Sequence, residues 1–241
     1  MTGNRYRYFL FNRDEQRKRP REESPQIFRP HGEPSYLAPV DPQGRGTWIA
    51  VNEYGVSAAI LNDYQSSATP AENRPFTSRG ILPLLAVSKD DPSTSPKNIA
   101  EELAKNSFQP FRLLIQSPGG TGYHLHWDGH LFNQTPLNNI ALPVTTSSWR
   151  SLDVEKFRQS LFEKTVDGRA QLHQLLEFHG FHDPEEPGCG PAMVREDATT
   201  RSLTIIRVGP EEVSMRHQRF DPENRIFESP TEVRLPRRYP R

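Results

Sequence analysis

Apolar and polar positions alternate at the start of the chain and then merge. Residues 5–11, RYRYFLF, interleave charge with aromatic rings and end apolar on both faces, which predicts a strand entering a sheet covered on both sides. Residues 16–46 show no period and read as a long surface excursion. Order returns at residues 47–52 and 56–62, two strands joined by turn chemistry from Asn52 to Gly55. Residues 77–87 have helical spacing but contain Pro83, so a short or kinked helix is expected there. Ser95 as N-cap and Pro96 at the first helical position predict a helix carrying Ile99 and Leu103 on one face. A second hairpin follows at 110–116 and 122–127. Two amphipathic stripes, Leu152, Phe157, Leu161, Phe162 and then Leu172, Leu175, Leu176, Phe178, predict adjacent helices. Strands near 191–195, 201–208 and 212–219 close the pattern, and residues 234–241, with four arginines, read as a flexible basic tail. Strands, then helices, then strands imply an α+β sandwich of antiparallel hairpins in a single domain over residues 1–241.

Composition narrows the partners. The 30 basic and 30 acidic side chains of the 241 residues cancel, so no global field favours nucleic acid or an anionic membrane. The basic run at 17–21 reads as a solvated loop. A single cysteine, Cys189, leaves no intramolecular disulfide and fits a reducing compartment. No apolar run has the length of a membrane span and no signal-peptide pattern opens the chain, so a cytoplasmic protein is expected. The 23 prolines cluster at 20–42, 70–96 and 183–191 and mark loops there. No feature points to a particular oligomeric state.

Several polar groups invite a chemical reading. His179, His182 and Asp183 could ligate a metal, but a helix end needs such groups anyway, and no metal site or cofactor is expected. His124 and His126 share one strand face. The glycine-rich SPGGTG joins two strands and opens no helix, which argues against a phosphate loop. The run Asn12, Arg13, Asp14, Glu15 directly after a buried strand reads either as an ion-pair cluster opening a loop or as part of a site.

Together with NRDE at 12–15, the segments GTWIAVNEYGVSAAILN at 46–62, SSW at 147–149 and REDATTRSLTIIRV at 195–208 resemble the NRDE family, also called the transport and Golgi organisation family. The resemblance covers nearly the whole chain in the expected order. It implies the four-layer αββα sandwich of N-terminal-nucleophile hydrolases and a small amide or ester as substrate. In such enzymes the first residue after the initiator Met is both nucleophile and base, since an α-amine titrates near neutrality. The resemblance puts Arg13, Asp14 and Glu15, with Asn12, beside the nucleophile, where arginine holds a thiolate and a carboxylate holds the amine or the arginine. Asn62 ends a hairpin similar to that of bile-salt hydrolases and penicillin acylases, where the asparagine donates to the oxyanion. Ser147 and Ser148 fall where those relatives carry a second polar donor, although helix capping also explains them. Arg201 falls where similar enzymes hold an arginine near the site, and Asp197 is a more remote candidate.

The family carries Cys directly after Met and a full strand before its NRDE turn. Here MTGNRYRYFLF leaves eleven residues before Asn12, and that first strand is missing. Three accounts are compatible with this: a start upstream of Met1, Thr2 as nucleophile after Met removal, or a non-catalytic relative that uses the pocket for binding or trafficking. For the last, resemblance to eukaryotic relatives implies handling of lipids, acyl-CoA or haem, with His124 or His126 as an axial ligand for haem.

Overall fold

The computed structural model describes residues 6–70, 75–168 and 170–240. Its strands are β1 (Arg7–Gln16), β2 (Glu23–Phe28), β3 (Tyr36–Val40), β4 (Ile49–Asn52), β5 (Ser57–Asn62), β6 (Phe111–Gln116), β7 (Gly122–Trp127), β8 (Phe132–Pro136), β9 (Ala198–Val208), β10 (Glu212–Asp221), β11 (Ile226–Phe227) and β12 (Thr231–Pro236). Helices α1 (Leu82–Ala86), α2 (Ser95–Lys105), α3 (Ser151–Thr165) and α4 (Leu172–Gly180) complete the described elements, together with short 3-10 turns. One antiparallel sheet runs β2-β3-β4-β5-β6-β7-β8. The other runs β1-β9-β10-β11, with β12 also paired to β10.

The two sheets face each other through one core. Leu37, Ile49 and Val51, on one face of the first sheet, share a buried cluster with Ile206, Val208, Val213 and Met215 of the second. Helix α1 packs on β4, β5 and β6, and α4 packs on β1. The layers are therefore αββα, with α1 and α2 outside one sheet and α3 and α4 outside the other. A sheet covered on both faces excludes water from its middle strands, which is why β4 and β5 read as nearly continuous apolar runs.

Several details depart from the sequence reading. The first strand does not stop at Phe11 but continues through residues 12–15 to Gln16. The excursion at 16–46 contains β2 and β3, and β8 and β12 also escaped notice. The expected tail is docked: residues up to Pro236 belong to β12, Arg237 and Arg238 donate backbone N–H to the carbonyls of Glu211 and Glu53, and Tyr239 donates its hydroxyl to Pro210. Ser95 is the first residue of α2 rather than its cap, and its hydroxyl donates to the Ala86 carbonyl 3.2 Å away. Helix α3 turns Val154 and Arg158 inward, whereas Leu152 is 62% exposed. Near 191–195 a single bridge, Val194 to Thr199, stands in place of a strand.

The hairpin between β4 and β5 is set by Asn52. Its Oδ1 accepts from the N–H groups of Tyr54 and Val56, and its Nδ2 donates to the carbonyls of Val87 and Lys89. This fully buried amide uses all its hydrogen-bonding capacity. Gly55 follows at φ +85°, where a side chain would be strained and would also meet Pro118 and Val208.

Burial holds three imidazoles neutral. His124, His179 and His217 are each pushed down to about 4 from the ordinary 6.5, chiefly by desolvation. Arg112 adds to the effect at His124 and Arg158 at His179, while Glu22 opposes it at His217. A histidine in the unfolded chain titrates near 6.5, so between that pH and about 4 the unfolded state binds more protons. The stability these residues contribute is complete above pH 6.5 and is lost as pH falls toward 4. The thermal midpoint should therefore drop steadily from about pH 6.5 to about 4.5. A flat midpoint across that window would contradict the burial of these rings.

Candidate functional site

A cavity of about 620 Å³ lies along β1. Residues 10–16 all border it. Successive side chains of a strand point to opposite faces, so a cavity touching seven in a row runs along the strand's edge. That edge is open: among the described residues β1 pairs with β9 alone. Trp48, Ile60, Asn62, Tyr64 and Arg79 border the cavity from one side, and Arg158, His179 and Pro191 from the other.

The residues of 12–15 serve both walls. Asn12 donates from Nδ2 to the carbonyls of His179 (2.9 Å) and Pro191 (2.7 Å), tying β1 to α4 and to the loop beyond it. Its Oδ1 lies 3.1 Å from His179 Nδ1. An amide oxygen only accepts, so the His179 proton resides on Nδ1 and leaves Nε2 unprotonated. Asp14 turns to the same layer, where it accepts from Thr200 Oγ1 at 2.6 Å and pairs with Arg158 at 3.4 Å. Burial pushes the Asp14 carboxyl up, against the opposing pull of Arg158 and Thr200.

Arg13 and Glu15 face the other sheet. Arg13 is 5% exposed, donates to Glu22 at 3.3 Å and to Glu15 at 3.4 Å, and stacks its guanidinium 4.5 Å from the centre of the Trp48 ring. Glu22, 4% exposed, lies with its other oxygen 3.7 Å from His217 Nε2. Desolvation lowers the Arg13 pKa, and Glu22 and Glu15 oppose it. Arg19 closes the row by pairing with Asp41 and Glu15.

A β-bulge interrupts the pairing here. Arg13 is opposite Ser202 and Asp14 opposite Thr200, which leaves Arg201 without a partner in register. The Arg201 side chain reaches the carbonyls of Arg17 and Arg19, both 3.4 Å away. It thus braces the turn after β1 and does not border the cavity.

Asn62, the last residue of β5, borders the cavity and donates one N–H to Tyr64 Oη at 2.8 Å. An amide nitrogen carries two N–H groups, and the second has no partner among the described residues. Ser147 and Ser148 border the cavity as well, but neither caps α3, whose N-cap is Arg150 in a left-handed conformation. Ser147 Oγ donates to the Trp149 carbonyl and accepts its N–H, and Ser148 Oγ accepts from Arg195. Thr2 lies outside the described residues.

Cys189 is buried and donates its thiol to Glu186 Oε2, and burial pushes its pKa up to about 11. It is not among the residues that border the cavity. His182 and Asp183 serve local structure: the His182 Nδ1 lies 3.1 Å from the Ala192 carbonyl, and Asp183 accepts from the N–H groups of Glu185 and Glu186. His124 and His126 stack 6.1 Å apart on β7, away from the cavity, and His126 Nε2 lies 2.8 Å from Asp63. Among the described residues no group of three or more side chains could hold a metal ion, and no helix is long and apolar enough to cross a membrane.

Sequence reasoning missed Arg79, Arg158 and His179. Arg158 carried a signal, an arginine four residues after Val154 on the inward stripe of α3. The other two lay in segments read only for their apolar spacing or as metal ligands.

Known structures share this architecture. A Caenorhabditis elegans orthologue of N-acylethanolamine-hydrolyzing acid amidase is similar at a TM-score of 0.51, with 12% identity over 82% of this chain and 86% of that one. Penicillin V acylase from Agrobacterium tumefaciens (TM-score 0.42, 12% identity, 89% and 75% covered) and a variant of conjugated bile acid hydrolase from Clostridium perfringens (0.39, 12%, 99% and 92%) are more distant. The fold is that of the N-terminal-nucleophile hydrolases. No curated protein matches the sequence. The sequence does match the transport and Golgi organisation 2 family over residues 2–212, and the chain belongs to that family.

Proposed function

We propose that the cavity along β1 is the site of an N-terminal-nucleophile-type hydrolase acting on a small amide or ester. One observation carries the reading: residues 12–15, Asn62, Ser147 and Ser148, distant in sequence, border a single cavity on the open edge of a strand. In this reading the nucleophile rides on a strand laid against that edge, Arg13 sets its electrostatics, and Asn62 donates to the tetrahedral oxyanion. Asn12 and Asp14 fix the opposite wall, and Ser147 shapes the adjoining loop. The neighbour with a TM-score of 0.51 is named as an amide hydrolase, which agrees with the reading.

Turnover of a panel of chromogenic anilides and aryl esters tests the reading. Release that saturates with substrate and is lost on substitution of Asn62 supports it, and absence of release across the panel counts against it.

A second reading, ligand binding or trafficking without turnover, is favoured by the cavity wall itself. Among the described residues that border it there is no cysteine, and Cys189 is buried elsewhere with its thiol held protonated. Stoichiometric binding without product would mark this case.

A further inference from the structure

Five arginines border the cavity: Arg13, Arg19, Arg79, Arg158 and Arg195. Four of them face carboxylates, Arg13 with Glu15 and Glu22, Arg19 with Asp41 and Glu15, Arg158 with Asp14, and Arg195 with Asp197. The four acidic residues of the wall, Asp14, Glu15, Asp41 and Asp197, are all used in these pairs. Arg79 has no ion pair among the described residues. Its Nη1 donates to the Pro110 carbonyl at 2.7 Å, and a guanidinium has four further N–H groups. Arg79 is half-buried, and this burial is the main force lowering its pKa. A partly desolvated guanidinium with no ion pair among the described residues keeps donors available for an anionic ligand.

The backbone under Arg79 is built for position. Arg79 opens the 3-10 turn Arg79–Ile81, whose preceding Ser78 accepts the Gly80 N–H, and Thr47 donates its N–H to the Gly80 carbonyl at 3.0 Å. Gly46 and Gly80 approach so closely that a Cβ on Gly46 would lie 2.6 Å from the Gly80 carbonyl carbon. Tyr64 and Glu15 lie within electrostatic range of the guanidinium. The nearby carboxylate disfavours a dianion, and the planar fork of arginine suits a carboxylate.

We propose that Arg79 holds the carboxylate of the cavity's ligand, which makes that ligand a small acyl compound bearing a carboxylate, such as an N-acylamino acid. The proposal rests on the cavity being the ligand site and not on turnover.

Calorimetric titration of the full chain with N-phenylacetylglycine and with its neutral N-methylamide tests this. The acid should bind at least about tenfold more tightly, as a charge-assisted hydrogen bond of ordinary strength requires. Arg79→Gln, which keeps a polar amide near Pro110, should abolish that preference, and Arg79→Lys should keep part of it, with thermal midpoints confirming that both variants fold. Equal affinity for acid and amide, no binding of either at millimolar concentration, or a preference that survives in Arg79→Gln would each overturn the proposal. So would displacement of the acid by inorganic phosphate at lower concentration than by acetate, which would identify a phosphate site. Acid preference without hydrolysis leaves the assignment of Arg79 standing and removes the hydrolase reading. Hydrolysis of acid and amide at equal kcat/KM, unchanged in Arg79→Gln, does the reverse.

Discussion

Arg13→Ala is expected to destabilise the protein by about 3–5 kcal/mol, because it removes one partner of a buried ion pair and leaves the other charge in place. The stranded group is Glu22, 4% exposed between the sheets, with the neutral His217 3.7 Å away. Loss of the stacking on Trp48 adds to the effect. Denaturant unfolding at neutral pH measures the cost. Arg13→Met combined with Glu22→Gln removes both charges and should restore most of the loss. A single-variant cost below about 1 kcal/mol at neutral pH, the range of an exposed pair, would show that Arg13 is not holding Glu22. This structural duty coexists with the proposed electrostatic one, since Arg13 also borders the cavity.

The second large effect belongs to Asn62. Asn62→Ala should lower turnover of an amide or ester about a hundredfold or more, the usual consequence of deleting an oxyanion donor. Stability should change little, because Asn62 is only half-buried at the end of β5 and its side-chain amide bonds the hydroxyl of the exposed Tyr64. Tyr64→Phe is the control: it removes that contact and keeps the free N–H, so it should alter turnover only slightly. Turnover that is unchanged in Asn62→Ala would remove this residue from the reaction.

How far the sequence disclosed this arrangement depended on where apolar periodicity was present. The hairpins β4–β5 and β6–β7 and the helices α2, α3 and α4 lie against the core, and their stripes announced them. The overlooked strands are sheet edges or their neighbours: β2 contains Pro25 and a register shift between Glu23 and Gln26, β8 reads FNQTP, and β12 is rich in charge. Edge strands tolerate proline and charge because one side needs no ladder, so they look like loops. The extension of β1 through residues 12–15 was hidden for another reason. Four polar residues after an apolar run suggest an exit to solvent, whereas here Asn12 and Asp14 find partners on α4, α3 and the loop at 190, and Arg13 finds Glu22. Those partners lie between 9 and 179 positions away in the chain, and no local pattern encodes them. Residue types at the site were legible through the family's motifs. The pairing that leaves Arg79, of the five cavity arginines, without an ion pair among the described residues, and the link that sets the tautomer of His179, arise only from the folded arrangement.

The central claim, that a nucleophile operates at the open edge of β1, is tested most directly by covalent labelling. The protein purified from its own organism would be treated with a small β-lactone, and the adduct located by intact mass and peptide sequencing. The account predicts one added lactone mass on the N-terminal residue of the native chain, formed by ring opening and blocked by a saturating carboxylate ligand. Absence of an adduct, or an adduct confined to Cys189 or to surface side chains, would contradict it and leave the cavity as a binding site.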